Sequence, residues 1–214
     1  MIISKKTMLR VIFTCLLCVL LFTSAYAEKT IKVMLYGDSL MAGYGLAQNE
    51  NLASELSRSF EADNLEVSII NASISGNTSK NGLSRVEWSL GDNPEIVVIC
   101  LGANDMLRGL NPALTSENLD SIISKFKKSG TVVILAGMQS SESMGPDYQA
   151  QFDGMYPKLA VKHNLIFMPF LLKDVALEKD KLQADYKHPN DKGIKIIASN
   201  LFPYLIEGIA RLGK

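Results

Sequence analysis

No disulfide framework is available to this chain. Its three cysteines are Cys15, Cys18 and Cys100, and the first two lie in an N-terminal stretch laid out as a removable leader. Lys5, Lys6 and Arg10 precede the apolar run from Val11 to Phe22, and Ala25-Tyr26-Ala27 follows as an A-x-A site. This is the tripartite plan of a secretory signal peptide, and the apolar run is too short to span a bilayer. Residues 1–27 are therefore expected to be removed. Residues 28–214 are expected to form one domain, exported to the periplasm or the medium without a stable membrane anchor. Cys100 is then alone, so the domain must be held by its apolar core. Within Ile96-Val97-Val98-Ile99-Cys100-Leu101 a cysteine acts as a small buried hydrophobe.

Histidine is scarcer still. His163 and His188 are the only two, and no H-x-H or H-x-x-E spacing occurs. A metal centre built on several imidazoles is thereby disfavoured. Charge of one sign is lacking too. The chain holds 22 Lys+Arg and 22 Asp+Glu; the leader removes three basic residues and no acidic one, leaving 19 against 22 and a net charge of −3. With no basic patch or charge block, nucleic acid is not an expected partner. Internal repeats and low-complexity tracts are absent. So is the G-x-S-x-G elbow, because Met41 stands where its last glycine would be.

What is present is alternation. Runs rich in β-branched residues occur at 31–36, 66–70, 95–101, 131–136 and 165–169. Helical patterns lie between them. Leu119, Ile122, Ile123 and Phe126 fall at i, i+3, i+4, i+7, with Thr115 or Ser116 as the expected cap and Gly130 as the stop. A second pattern covers 190–211 and places Ile194, Ile197, Ala198, Leu201 and Leu205 on one face. A third, over 148–162, contains Pro157, which predicts a kink or a late start. Continuous apolar strands alternating with helices imply a parallel sheet covered on both faces, an α/β/α sandwich. The stretches 71–81 and 137–147 are long for plain connections, and long loops in small domains commonly carry function.

In a parallel sheet the carboxyl ends of the strands share one edge, where ligands bind. The first strand ends in Gly37-Asp38-Ser39-Leu40 and the second in Asn71-Ala72-Ser73-Ile74-Ser75-Gly76. The third ends in Gly102-Ala103-Asn104-Asp105, and Asp185-Tyr186-Lys187-His188-Pro189-Asn190 precedes the last helix. Together these loops supply the parts of acyl transfer. A serine hydroxyl needs a neighbouring imidazole to take its proton. His188 can do so, and Asp185 can hold that imidazole in the useful tautomer. His163, beside Lys162 at a helix end, reads as a surface residue. Donors for a developing oxyanion are the Ser39 and Gly76 backbone N–H groups and the Asn104 side-chain amide. No cofactor or metal is called for.

These four blocks, in this order, resemble those of the GDSL or SGNH hydrolases over essentially the whole mature chain. They are most similar to the exported acyl-CoA thioesterase I, lysophospholipase and arylesterase subgroup. Leu107-Arg108-Gly109 extends the third block. The resemblance implies Ser39 as nucleophile, His188 as base, Asp185 as its partner, and Ser39, Gly76 and Asn104 as the oxyanion hole. It also implies five parallel strands in the flavodoxin-like order 2-1-3-4-5. Two positions depart from the subgroup: Asn77 stands where Asp is common, and Tyr186 where glycine often follows the catalytic Asp.

Met106, Leu107 and Leu110, with Leu114, Met138 and Met144, offer an apolar wall, which points to a fatty-acyl ester or thioester as the small-molecule substrate. A carbohydrate O-acetylesterase is the alternative. A metallo-phosphoesterase built on Asp38, Asp105, Asp185 and His188 is a weaker rival. So is a flavodoxin-like binding module, since Asp38 would repel a phosphate.

Overall fold

Strand β1, Ile31–Gly37, lies inside the sheet and is buried from Val33 onward. It pairs in parallel with β2, Val67–Asn71, on one side and with β3, Ile96–Cys100, on the other. Strands β4, Val132–Ala136, and β5, Ile166–Met168, extend the sheet in the same direction. The order is 2-1-3-4-5, as the resemblance implied. The computed structural model describes residues 30–213. The expected leader and its cleavage site lie outside the described residues.

Six helices link the described strands and a seventh follows the last of them. Short α1, Ser39–Ala42, follows β1, and α2, Leu52–Ala62, leads to β2. Helix α3, Ser79–Leu90, leads to β3, while α4, Ala103–Leu107, and α5, Pro112–Lys128, lead to β4. Helix α6, Pro146–His163, precedes β5, and α7, Asp191–Leu212, closes the chain. Helices α3, α5 and α6 pack together on one face of the sheet, and α2 and α7 pack together on the other. The Tyr36 ring meets Phe126 edge-on on the first face, and Phe60 meets Phe202 on the second. The middle strands are therefore apolar throughout: all five residues of β3 are buried, Cys100 included.

The helix ends differ from the sequence expectations, each for a local reason. The cap of α5 is Asn111, whose side chain accepts from the Ala113 N–H, and Pro112 occupies the first turn where its missing N–H costs nothing. Thr115 is buried instead and donates to Asp105 Oδ1 at 3.2 Å. Pro157 does not delay α6, which already starts at Pro146. The expected loop 71–81 ends early, because Thr78 and Asn81 form a capping box that starts α3. Helix α2 lies outside the helical patterns noted in the sequence, although Asn51 caps it and its buried residues Leu52, Leu56 and Phe60 recur every four positions. Among the described residues no helix is long and apolar enough to cross a membrane.

Candidate active site

The loops after β1, β2 and β3 and the segment before α7 converge at one sheet edge, around a cavity of about 1140 Å³. Ser39 opens α1, and its neighbour Asp38 caps that turn by accepting from the Leu40 N–H at 3.0 Å. His188 Nε2 lies 2.9 Å from Ser39 Oγ. Its Nδ1 lies 2.6 Å from Asp185 Oδ2. Asp185 Oδ1 also accepts from the backbone N–H groups of Lys187, at 2.9 Å, and His188, at 3.0 Å. The bond to the His188 ring, backed by these two N–H donors, holds the Asp185 carboxyl well below the usual carboxylate range. An ionised carboxylate only accepts, so Nδ1 carries a proton and Nε2 is left free to accept from Ser39.

The segment bearing Asp185 and His188 is anchored from several sides. Leu182 and Pro189 form an antiparallel bridge, and the Gln183 N–H donates to the His188 carbonyl at 2.8 Å. Gln183 Nε2 donates to the carbonyls of Tyr44, at 2.7 Å, and Pro189, at 2.9 Å. The Tyr44 ring lies 4.5 Å from the imidazole, centre to centre. Asn190 ends the segment by capping α7 through the Lys192 and Gly193 N–H groups. Tyr186 adopts a left-handed φ of 55°, a conformation open to glycine at no steric cost, and its exposed side chain is not among those lining the cavity.

Gly76 has φ 79°, and a Cβ there would meet nothing within 4 Å, so its open side faces free space. It sits in a turn closed by the Asn77 N–H donating to the Ile74 carbonyl. Asn104 Nδ2 donates to the Asn77 carbonyl at 3.1 Å and to Asp38 Oδ2 at 3.3 Å. The structure thus brings Ser39, Gly76, Asn104 and His188 to one cavity wall, with Asp185 directly behind His188. Met106, Leu107 and Met138 also line it. Leu110, Leu114 and Met144 do not: the Leu110 carbonyl accepts from the Tyr148 hydroxyl at the surface, and Leu114 is exposed. His163 is far from this wall and pairs with Asp120 at 2.6 Å.

Three residues hold the site in roles that sequence reasoning did not assign to them: Asp38 and Asp105, considered as metal ligands, and Arg85, not considered. Asp38 is 1% exposed, and burial pushes its carboxyl up to about 6 despite the bonds from the Leu40 N–H and Asn104. Asp105, also buried, accepts from the Ser79 N–H at 2.8 Å and the Ser79 hydroxyl at 2.6 Å, tying the turn after β3 to the start of α3. Arg85 ties the end of β1, at the Gly37 carbonyl, to both ends of the loop after β2, at the Ala72 carbonyl and Asn77 Oδ1. Asp38 and Asp105 carried a signal, since a charged residue just past an apolar strand needs a partner when buried, whereas Arg85, in the middle of a helix, carried none. Asp38 and Asp105, two of the metal ligands considered above, spend their carboxylate oxygens on these protein donors. No group of three or more His, Cys, Asp or Glu stands ready for a metal ion among the described residues.

A 2-1-3-4-5 parallel sheet carrying Ser, Gly, Asn and His on four loops at one edge defines a hydrolase of the SGNH class. Comparison with known proteins carries this to the family. The GDSL-like Lipase/Acylhydrolase family matches residues 35–196. An arylesterase of Vibrio mimicus is 34% identical over 92% of this chain and 96% of its own. Esterase TesA of Pseudomonas aeruginosa is 35% identical, covering 89% and 94%. A crystal structure of the esterase EstA from Pseudoalteromonas sp., inhibited by monoethylphosphonate, superposes with a TM-score of 0.80 at 30% identity, covering 84% of this chain and 98% of that one. The chain belongs to the GDSL-like lipase/acylhydrolase family.

Proposed function

We propose that this esterase hydrolyses fatty-acyl esters or thioesters through an acyl-enzyme on Ser39. The observation that carries the reading is His188 standing between Ser39 and Asp185 at 2.9 Å and 2.6 Å. As Ser39 Oγ attacks the acyl carbonyl, its proton passes to His188 Nε2, and Asp185 stabilises the imidazolium that results. His188 then gives that proton to the leaving alcohol or thiol. A water enters, loses its proton to His188 and releases the acid, and Ser39 recovers its hydrogen. The oxyanion of each step is assigned to the Ser39 and Gly76 N–H groups and Asn104 Nδ2. An oxyanion is a charged acceptor and outcompetes the neutral Asn77 carbonyl for one Asn104 hydrogen. No cofactor, metal or nucleic acid enters this scheme.

Met106, Leu107 and Met138 beside Ser39 support an acyl chain as the substrate's apolar arm. The related proteins point the same way: an Escherichia coli relative, 34% identical over 86% of each chain, is named thioesterase 1, protease 1 and lysophospholipase L1. The carbohydrate O-acetylesterase alternative draws on the polar side of the cavity, where Gln139, Ser140, Glu142 and Gln149 lie. Each buried methylene gains about 0.8 kcal/mol, close to fourfold in kcat/KM. A series of p-nitrophenyl esters should therefore rise from acetyl towards medium or long chains; a sharp acetyl optimum with acetate released from an acetylated polysaccharide favours the alternative. A fluorophosphonate should label the protein once, at Ser39, as the inhibited relative leads one to expect; labelling at Ser75 overturns the assignment. Export is part of the proposal: intact mass of protein recovered from the envelope or medium should correspond to a chain starting at Glu28.

A further inference from the structure

Arg85 spends its guanidinium on two backbone carbonyls and one side-chain amide oxygen. Its Nε donates to Asn77 Oδ1 at 2.8 Å, Nη1 to the Ala72 carbonyl at 2.6 Å, and Nη2 to the Gly37 carbonyl at 3.2 Å. Its carbon Cζ lies 4.0 Å from the centre of the Tyr36 ring, so the cation rests on an aromatic face while its edge makes the bonds. The helix that carries it is brought close to the sheet. Tyr36 donates to the Gly82 carbonyl at 2.5 Å, and a Cβ on Gly82 would stand 2.4 Å from Leu101 Cδ1. Any side chain at position 82 would have to displace Leu101, so glycine favours this close approach of α3.

A purely structural role for Arg85 would not explain what its three acceptors have in common. Gly37 is two residues before Ser39. Ala72 and Asn77 bracket the turn that presents Gly76. Asn77 also supplies, from its backbone carbonyl, the acceptor that orients Asn104 Nδ2. We infer that Arg85 is a positioning residue for hydrolysis, fixing the Gly76 turn and the Asn77 peptide relative to the end of β1 so that the oxyanion donors and Ser39 keep one geometry. The inference rests on the proposed Ser39 chemistry. It touches neither substrate nor reacting atoms. Its leverage comes from the fork: a planar group with donors on all three nitrogens holds three acceptors at once, which a single ammonium on a flexible stem does not. Displacements near 1 Å in catalytic geometry cost on the order of 100-fold in rate.

The test compares wild type with Arg85→Lys and Asn77→Ala. Arg85→Lys keeps the charge over Tyr36 but loses the fork; Asn77→Ala removes only the side-chain acceptor and leaves the Asn77 carbonyl in place. For a p-nitrophenyl ester, kcat should fall about 10- to 100-fold in Arg85→Lys and several-fold in Asn77→Ala, with KM within about twofold. The rate constant for fluorophosphonate labelling of Ser39 should fall in parallel, because that reaction uses the same oxyanion donors. Methylguanidinium added to Arg85→Ala should restore part of the labelling rate. Wild-type kcat and labelling rate in folded Arg85→Lys, whatever its melting temperature, overturn the inference, as does a loss confined to KM. The two readings fail differently. Wild type left unlabelled at Ser39 removes the proposed chemistry itself, whereas equal labelling of wild type and variants removes the role of Arg85 alone.

Discussion

Replacing Asp38 by asparagine isolates a conflict between burial and charge. The side chain is 1% exposed, and its carboxyl titrates in the fold at about 6 against an ordinary 3.8. Below 3.8 the group is neutral in folded and unfolded chains alike, and its contribution to stability is fully present. As pH rises from 3.8 to about 6, the unfolded chain gives up the proton while the fold retains it, so stability is lost across that window. Above it both states are ionised and the loss is constant. At about 1.36 kcal/mol per pH unit the full loss is about 3 kcal/mol, and about 2.5 kcal/mol of it falls between pH 4 and pH 8. Asparagine does not titrate. Both Asp38 oxygens accept, from the Leu40 N–H and from Asn104 Nδ2, so the new NH2 must face a donor at one of them. That costs about 1–3 kcal/mol, equally at all pH values. The measurement is urea unfolding of both proteins at pH 4 and pH 8, followed by circular dichroism, since Trp88 is 76% exposed and a poor reporter of the core. The stability of Asp38→Asn relative to wild type should improve by about 2.5 kcal/mol on going from pH 4 to pH 8. A relative stability that is flat with pH refutes the reasoning.

Asn104→Ala should fold and react about 10²- to 10³-fold more slowly, with KM little changed, as expected for a lost oxyanion donor; steady-state kinetics on one ester checks this, and a loss confined to KM moves Asn104 into substrate binding. Asp185→Asn should lower kcat by about 10⁴-fold through the wrong imidazole tautomer. Its stability deficit should be full above the ordinary aspartate value of 3.8 and shrink as pH falls below it, because the wild-type carboxylate is held low in the fold; unfolding at pH 3 and pH 7 reads this, and a deficit that grows in acid contradicts it. Met138→Ala should cut kcat/KM for long-chain esters several-fold more than for acetyl esters, since Met138 lines the cavity at 5% exposure; an equal loss on both places Met138 in the core rather than against the acyl chain.

Much of the architecture could be read from local pattern. The five strands lie within a residue or two of the apolar runs, and β3, buried at all five positions, gives the reason: a strand covered on both faces must be apolar throughout. The faces of α5 and α7 follow their 3.6-residue period, with Leu119, Ile122, Ile123 and Phe126 all buried. Helix starts were less legible. Asn111 competes with Thr115 and Ser116 for the cap of α5, and tertiary contacts decide which side chain is free to take it. Thr115 shows this: its hydroxyl goes to Asp105, ten residues back.

The sequence by itself determined the four loops, their order and the chemical types they carry, because a strand-end motif such as Gly37-Asp38-Ser39-Leu40 is complete within a few residues. It also determined the Asp185–His188 pair, whose members are three apart and meet within one turn. The rest was decided only by the tertiary structure. Ser39 and His188 are 149 positions apart, and their 2.9 Å contact exists because parallel strands deliver both to the same edge. Leu110 falls outside the cavity although it adjoins Leu107 in the motif, because α4 ends at Leu107 and the chain turns to the surface. The raised carboxyl of Asp38 and the three-way reach of Arg85 have no trace in local pattern. Burial and long-range acceptors belong to the packed chain, and only packing removes the water that would otherwise satisfy both charges.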